Sequence, residues 1–104
     1  MNNNTGLKKE DIEKIISILK DENNIESAYI FGSRAKGNYK TGSDIDIAVK
    51  GKLLTHRNIN HISYLLNEET MMPYRFDVID FNKIKNTELL SHIERNGKLI
   101  FTRI

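Results

Sequence analysis

Ile12, Ile15, Ile16 and Leu19 recur at helical spacing between residues 8 and 20, so this stretch predicts an amphipathic helix with one apolar stripe. A polar break over 21–24 follows. Residues 28–31 are then short, apolar and aromatic, the pattern of a strand that ends at Gly32. Gly37, Asn38 and Gly42 punctuate a loop. From Asp44 to Val49 polar and apolar residues alternate with period two, which predicts a second strand closed by Gly51. Ile59, Ile62, Leu65 and Leu66 form another helical stripe within 55–69, and Pro73 precedes a third strand over 74–81. Asn86 suits the cap of a helix carrying Leu89, Leu90 and Ile93, with Gly97 as its stop. Residues 99–101 predict a last, edge strand. Helix, strand, strand, helix, strand, helix and edge strand together imply an α+β fold: a small mixed β-sheet with helices packed on one face.

Composition narrows the class without naming the chemistry. A length of 104 residues suits one domain, expected over 7–104 behind a flexible, Asn-rich tail over 1–6. An apolar share of 38% and a charged share of 29% fit an ordinary soluble globular protein. Cysteine is absent, which excludes disulfides and thiolate metal sites. The first residues lack the apolar run and basic flank of a signal peptide, and nothing is long enough to span a bilayer; the expectation is a cytoplasmic protein with no membrane contact. A net charge of +2 is close to balance, so direct nucleic-acid binding is not indicated. Arg34, Lys36 and Lys40 nevertheless bracket one loop. Such a cluster is a solvated face or an anion site, and its neighbours must decide.

The second strand carries two of those neighbours. Ile45, Ile47 and Val49 share one face, so Asp44, Asp46 and Ala48 share the other. Two carboxylates side by side repel, a cost that a purely structural strand has no reason to carry. Same-face Cα atoms two residues apart lie ~6.6 Å apart, and carboxylates leaning inward from that spacing can bracket divalent cations. Hard oxygen ligands favour Mg²⁺ or Mn²⁺ over zinc. Taken alone, an Asp-x-Asp pair is more simply a strand face of solvated acids. Asp77 alters the balance, because it alternates with Phe76 and Val78 and reaches the same open face if its strand neighbours the second one. Asp80 shares parity with Phe76 and Val78 and reads as a strand-end acid. Three acids from two strands can hold two metals and orient an attacking hydroxyl.

Upstream, Phe31-Gly32-Ser33-Arg34 marks a strand giving way to a turn and a short helix. Glycine lets backbone amides approach a phosphate, serine adds a hydroxyl donor, and Arg34 and Lys36 can neutralise phosphate charge. By itself Gly-Ser is equally a tight turn. Its weight comes from its position, one strand before the acids.

These residues carry a resemblance. Gly32-Ser33, then Arg34 to Ser43, then Asp44-Ile45-Asp46 is similar to the signature of the polymerase-beta-type nucleotidyltransferase superfamily. The fuller string FGSRAKGNYKTGSDIDIAVKG resembles the minimal nucleotidyltransferases, small prokaryotic proteins with little beyond the catalytic core. It covers about a fifth of the chain, and the later elements follow the same order through Asp77 and Gly97. The resemblance implies that Gly32 and Ser33 hold a triphosphate, that Asp44 and Asp46 bind metal, and that Asp77 completes a metal-dependent catalytic site. It further implies ATP as the donor, Mg²⁺ or Mn²⁺ as cofactor, and in-line attack by an acceptor hydroxyl on the α-phosphate.

Acceptor and partner also come from the resemblance. The predicted elements use the whole sequence, so an acceptor is expected to bring its own surface. Minimal nucleotidyltransferases are often antitoxins paired with a HEPN toxin, and some adenylylate tyrosines of that toxin. A protein hydroxyl on such a partner is therefore the leading acceptor, within a homo- or hetero-oligomer. Two alternatives stand beside it: a binding module that silences its partner by occlusion, and a small-molecule nucleotidyltransferase. His56 and His61 are five apart, the wrong spacing for a shared helical metal site, and His92 is expected to be solvated. Tyr39 reads as a surface loop residue rather than a base-stacking one.

Overall fold

The computed structural model describes residues 5–40 and 42–103. The first predicted stripe folds as α1 (Lys9–Lys20), which buries Ile12, Ile15 and Leu19. Glu10 and Asp11 in its first turn and Lys20 in its last complement the helix dipole. After it come β1 (Ser27–Phe31), α2 (Ser33–Lys36), β2 (Ile45–Lys50), α3 (His56–Glu68) and β3 (Phe76–Asp80). A 3₁₀ turn at Phe81–Lys83, α4 (Thr87–Asn96) and β4 (Lys98–Thr102) complete the chain.

The strands form one mixed sheet in the order β3-β2-β1-β4. β1 is antiparallel to both β2 and β4, whereas β2 and β3 run parallel. A parallel pair needs a crossover, and α3 supplies it. Caps fix where the helices begin. Thr55 and Asn58 bond reciprocally at the start of α3, with Asn58 N–H donating to Thr55 Oγ1 at 3.2 Å and Thr55 N–H to Asn58 Oδ1 at 2.9 Å. Asn86 Oδ1 accepts from Glu88 and Leu89 N–H at the start of α4, as expected. The outer edge of β3 is closed by Asn67, whose side chain donates to Phe76 O at 3.0 Å and accepts from Phe76 N–H at 2.8 Å.

Alternation along the strands divides the core. Ile45, Ile47 and Val49 of β2 bury with Ala28, Ile30 and Phe76 against the stripes of α1 and α3. On the other face Phe31 and Ala48 meet Ile93 of α4, with Ile79, Phe81, Ile84 and Leu89 packed around them. The expected mixed sheet is present, but helices on one face describes only α1 and α3. α4 crosses to the opposite face because Phe31 and Ala48 make an apolar patch there that water would otherwise wet. The expected tail also differs. Thr5 is 2% exposed and Leu7 6%, so chain packing starts before residue 7; residues 1–4 lie outside the described ones.

Candidate active site

Three acids stand where β1 ends and β2 and β3 begin. Asp46 has Asp77 as its Cα partner in the parallel ladder and Phe31 as its partner in β1. Asp44 stands exposed, two residues before Asp46 and just ahead of β2. The condition set on Asp77, that its strand should neighbour β2, is met in register. The groups sense each other: the Asp46 carboxyl is held above the usual carboxylate range, first by burial, then by the charge of Asp77, then by that of Asp44. Arg75 Nε lies 3.8 Å from Asp77 Oδ1, and that pair is largely exposed and weak.

The donor set fits a hard divalent cation in kind, being all carboxylate with little compensating charge. Among the described residues, however, no three His, Cys, Asp or Glu side chains are grouped so that they could hold a metal ion.

Gly32 links the acids to the expected phosphate loop. Its φ of 74° and ψ of −152° lie in a region that only glycine enters freely. A Cβ there would also run into Oδ2 of Asp46. Glycine is therefore required twice at this position, once for conformation and once so that the loop can lie against the acid. Ala35 and Lys36 N–H both donate to Gly32 O at 3.1 Å, which starts α2 with Ser33 as its first residue. Lys36 ends α2, exposed, and lines an open cavity of 360 Å³ with Thr87, Ser91, His92 and Arg95.

Arg34 does something other than what its sequence position suggested. It is 2% exposed, and its guanidinium is fully engaged: Nε and Nη2 donate to Ser43 O at 3.2 and 3.1 Å, and Nη1 donates to Thr5 O at 2.9 Å. The rings of Tyr39 and Tyr74 flank it, each centroid 5.0 Å away. Arg34 is thus removed from the set of phosphate ligands. It ties the chain before α1 to the residue preceding Asp44. Tyr39 is accordingly occupied with Arg34.

His92 was expected in solvent and is instead part of the site. Its Nε2 accepts the Gly32 N–H at 2.8 Å, and its ring meets the edge of Phe31 at 6.2 Å. Burial and then the nearby Lys36 charge hold its pKa below the usual imidazole value. The sequence did contain a signal: Leu89, His92, Ile93 and Asn96 follow i, i+3, i+4, i+7, placing His92 on the inward stripe of α4. By contrast His61 lies away from the acids, with Nδ1 3.4 Å from Glu22 Oε2, and Asp80 caps the 3₁₀ turn by accepting from Asn82 N–H at 3.0 Å.

Comparison with known proteins gives a consistent picture. The family model described as "Polymerase beta, Nucleotidyltransferase" matches residues 13–104. Among solved structures, a toxin–antitoxin structure with AMP-PNP is 27% identical with a TM-score of 0.73, over 88% of this chain and 73% of that one. The tri-AMPylated Shewanella oneidensis HEPN toxin in complex with MNT antitoxin provides a second match, 23% identical with a TM-score of 0.70, over 92% and 73%. The toxin–antitoxin pair MntA–HepT gives a third, 24% identical with a TM-score of 0.70, over 91% and 73%. The last two speak for the fold alone. The search of curated proteins finds no match. No helix among the described residues is long and apolar enough to cross a membrane.

Proposed function

The chain belongs to the polymerase beta nucleotidyltransferase family, and from that premise we propose that it moves AMP from ATP to a hydroxyl of a HEPN-type toxin, acting as that toxin's antitoxin. One observation carries the reading: Gly32 lies against Asp46, and Asp46 faces Asp77 in register, so the Gly32 turn and the acids share one strand end. Resemblance to a toxin–antitoxin structure with AMP-PNP at 27% identity supports the nucleotide and a toxin as partner.

In this reaction the acceptor hydroxyl gives its proton to a carboxylate of the site as its oxygen attacks the α-phosphorus, a new P–O bond forms, the α–β anhydride bond breaks, and pyrophosphate leaves with the electron pair. Asp44, Asp46 and Asp77 would hold Mg²⁺, which when bound neutralises charge on the phosphates and lowers the proton affinity of the attacking oxygen. Ser33 offers a hydroxyl and a backbone N–H to the triphosphate, and Lys36 brings a positive charge to the same side. Asp77, on the edge strand β3, would orient the incoming hydroxyl. Positioning and electrostatics supply most of the rate.

The test uses ATP labelled at the α-phosphate, Mg²⁺ and a cognate HEPN partner in molar excess over this protein. The expected result is label on a hydroxyl side chain of the partner, with many partners modified per antitoxin and none by Asp46→Asn. Neutralisation only at one-to-one ratio, without nucleotide and equally by Asp46→Asn, would show a protein that works by occlusion.

A further inference from the structure

We propose that His92 is the positioning residue of the phosphate loop, fixing the Gly32 peptide so that the loop lies against Asp46. A backbone N–H can only donate, so the 2.8 Å contact from Gly32 N requires His92 Nε2 to be unprotonated. Neutral imidazole must then carry its hydrogen on Nδ1. That atom lies 3.2 Å from Asn96 Nδ2, itself a donor, so this tautomer requires the Asn96 amide turned over to present Oδ1 as the acceptor.

The second step is what this bond holds. Gly32 sits at φ 74°, ψ −152°, a conformation with a wide range of neighbouring alternatives for glycine. Fixing its N–H in one direction selects one of them. In that conformation the Cα of Gly32 closes on Asp46 Oδ2 with no room for a methyl group. A chain of contacts thus runs from α4 through His92 and Gly32 to the central acid. Phe31, buried at the end of β1, stacks edge-on with the imidazole and limits its rotation. The same bond uses the Gly32 N–H internally, which leaves the phosphate to Ser33 and to Lys36.

The inference rests on the proposed function for its consequence, though not for its geometry, and two readouts separate them. His92→Phe keeps a ring against Phe31 and removes the acceptor; His92→Gln places an amide oxygen near the Nε2 position. Amide exchange of Gly32 should quicken at least ~10-fold in the Phe variant and stay close to wild type in the Gln variant. ATP affinity in Mg²⁺, measured by calorimetry, should fall ~10-fold for Phe and within ~3-fold for Gln. Nitrogen-15 spectra of the wild-type protein should show His92 as the Nδ1–H tautomer.

Wild-type Gly32 protection in the Phe variant, or a protonated Nε2 in the wild-type protein, overturns the proposal. Failure of Gln to restore affinity, with its melting temperature intact, does so too, because ring packing alone would then explain the loss. Should the Phe variant not fold, the Gln variant and the wild-type tautomer still decide. A wild-type protein that binds no ATP would sink the nucleotide reading, while Gly32 exchange and the tautomer continue to test His92.

Discussion

Asp46 is where the local chemistry is most exacting. Its carboxyl is pushed up by burial, Asp77 and Asp44, so ionising it costs the folded state more than the unfolded one. Between the ordinary value of 3.8 and the raised one, the native protein binds more protons, and stability falls as pH rises through that window. In metal-free protein, Asp46→Asn should therefore melt higher than wild type at neutral pH, and the gap should close as pH drops below about 4. Transfer should meanwhile fall at least ~100-fold. A melting gap that stays constant down to acid would deny the charge explanation. Gly32 makes the complementary prediction. Gly32→Ala should lose about 1–3 kcal/mol from the positive φ, and more if Asp46 cannot move aside. Urea unfolding of the metal-free variant measures it, and a wild-type midpoint would contradict the strained geometry. Both acids and glycine were legible in the sequence through spacing and parity. His92 was legible only as a position on the inward stripe of α4; that its imidazole accepts from Gly32 N–H depends on which strand end α4 covers, which helical spacing does not carry.

At the level of elements, parity and caps went further than neighbour relations. Alternation in β2 assigned Ile45, Ile47 and Val49 to one face correctly, and Asn86 and Gly97 bounded α4. What alternation cannot say is which helix covers which face. The apolar pair Phe31 and Ala48 drew α4 over the side that carries the acids. Arg34 shows the same gap between type and place. A basic residue after Gly-Ser reads as a phosphate ligand, yet two tyrosines and two backbone carbonyls form a socket that sequence spacing does not announce. Lysine keeps the charge but cannot reproduce the planar fork. Arg34→Lys should therefore cost about 2–4 kcal/mol by leaving carbonyls unpaired, and should speed amide exchange at Ser43 and Asp44. If Arg34 served phosphate instead, the variant would keep its stability and lose only ATP affinity.

Across the whole molecule, the sheet order decides why the site forms at all. β1 and β2 are antiparallel while β2 and β3 run parallel, so the end of β1 falls beside the starts of the other two. The glycine turn and all three acids come from those ends, so Asp44, Asp46 and Asp77 concentrate negative charge against the loop proposed to take the triphosphate. Neither ligand should then bind well alone: ATP is repelled by the acids, and the acids lack the phosphate oxygens that would complete a cation's shell. Bound together they stabilise only the native state, so their effect appears as a rise in melting temperature. With both present at ~100 times the dissociation constant, the gain is about 2.7 kcal/mol. For a domain near this size that corresponds to a rise on the order of 10 °C. Thermal melts should show little change with ATP plus chelator, a small change with Mg²⁺ alone, and the full shift only with both. Asp46→Asn should lose the joint shift while keeping its higher metal-free baseline. Equal stabilisation by ATP in excess chelator would mean that the nucleotide sits elsewhere and that the acids do not hold the metal for it.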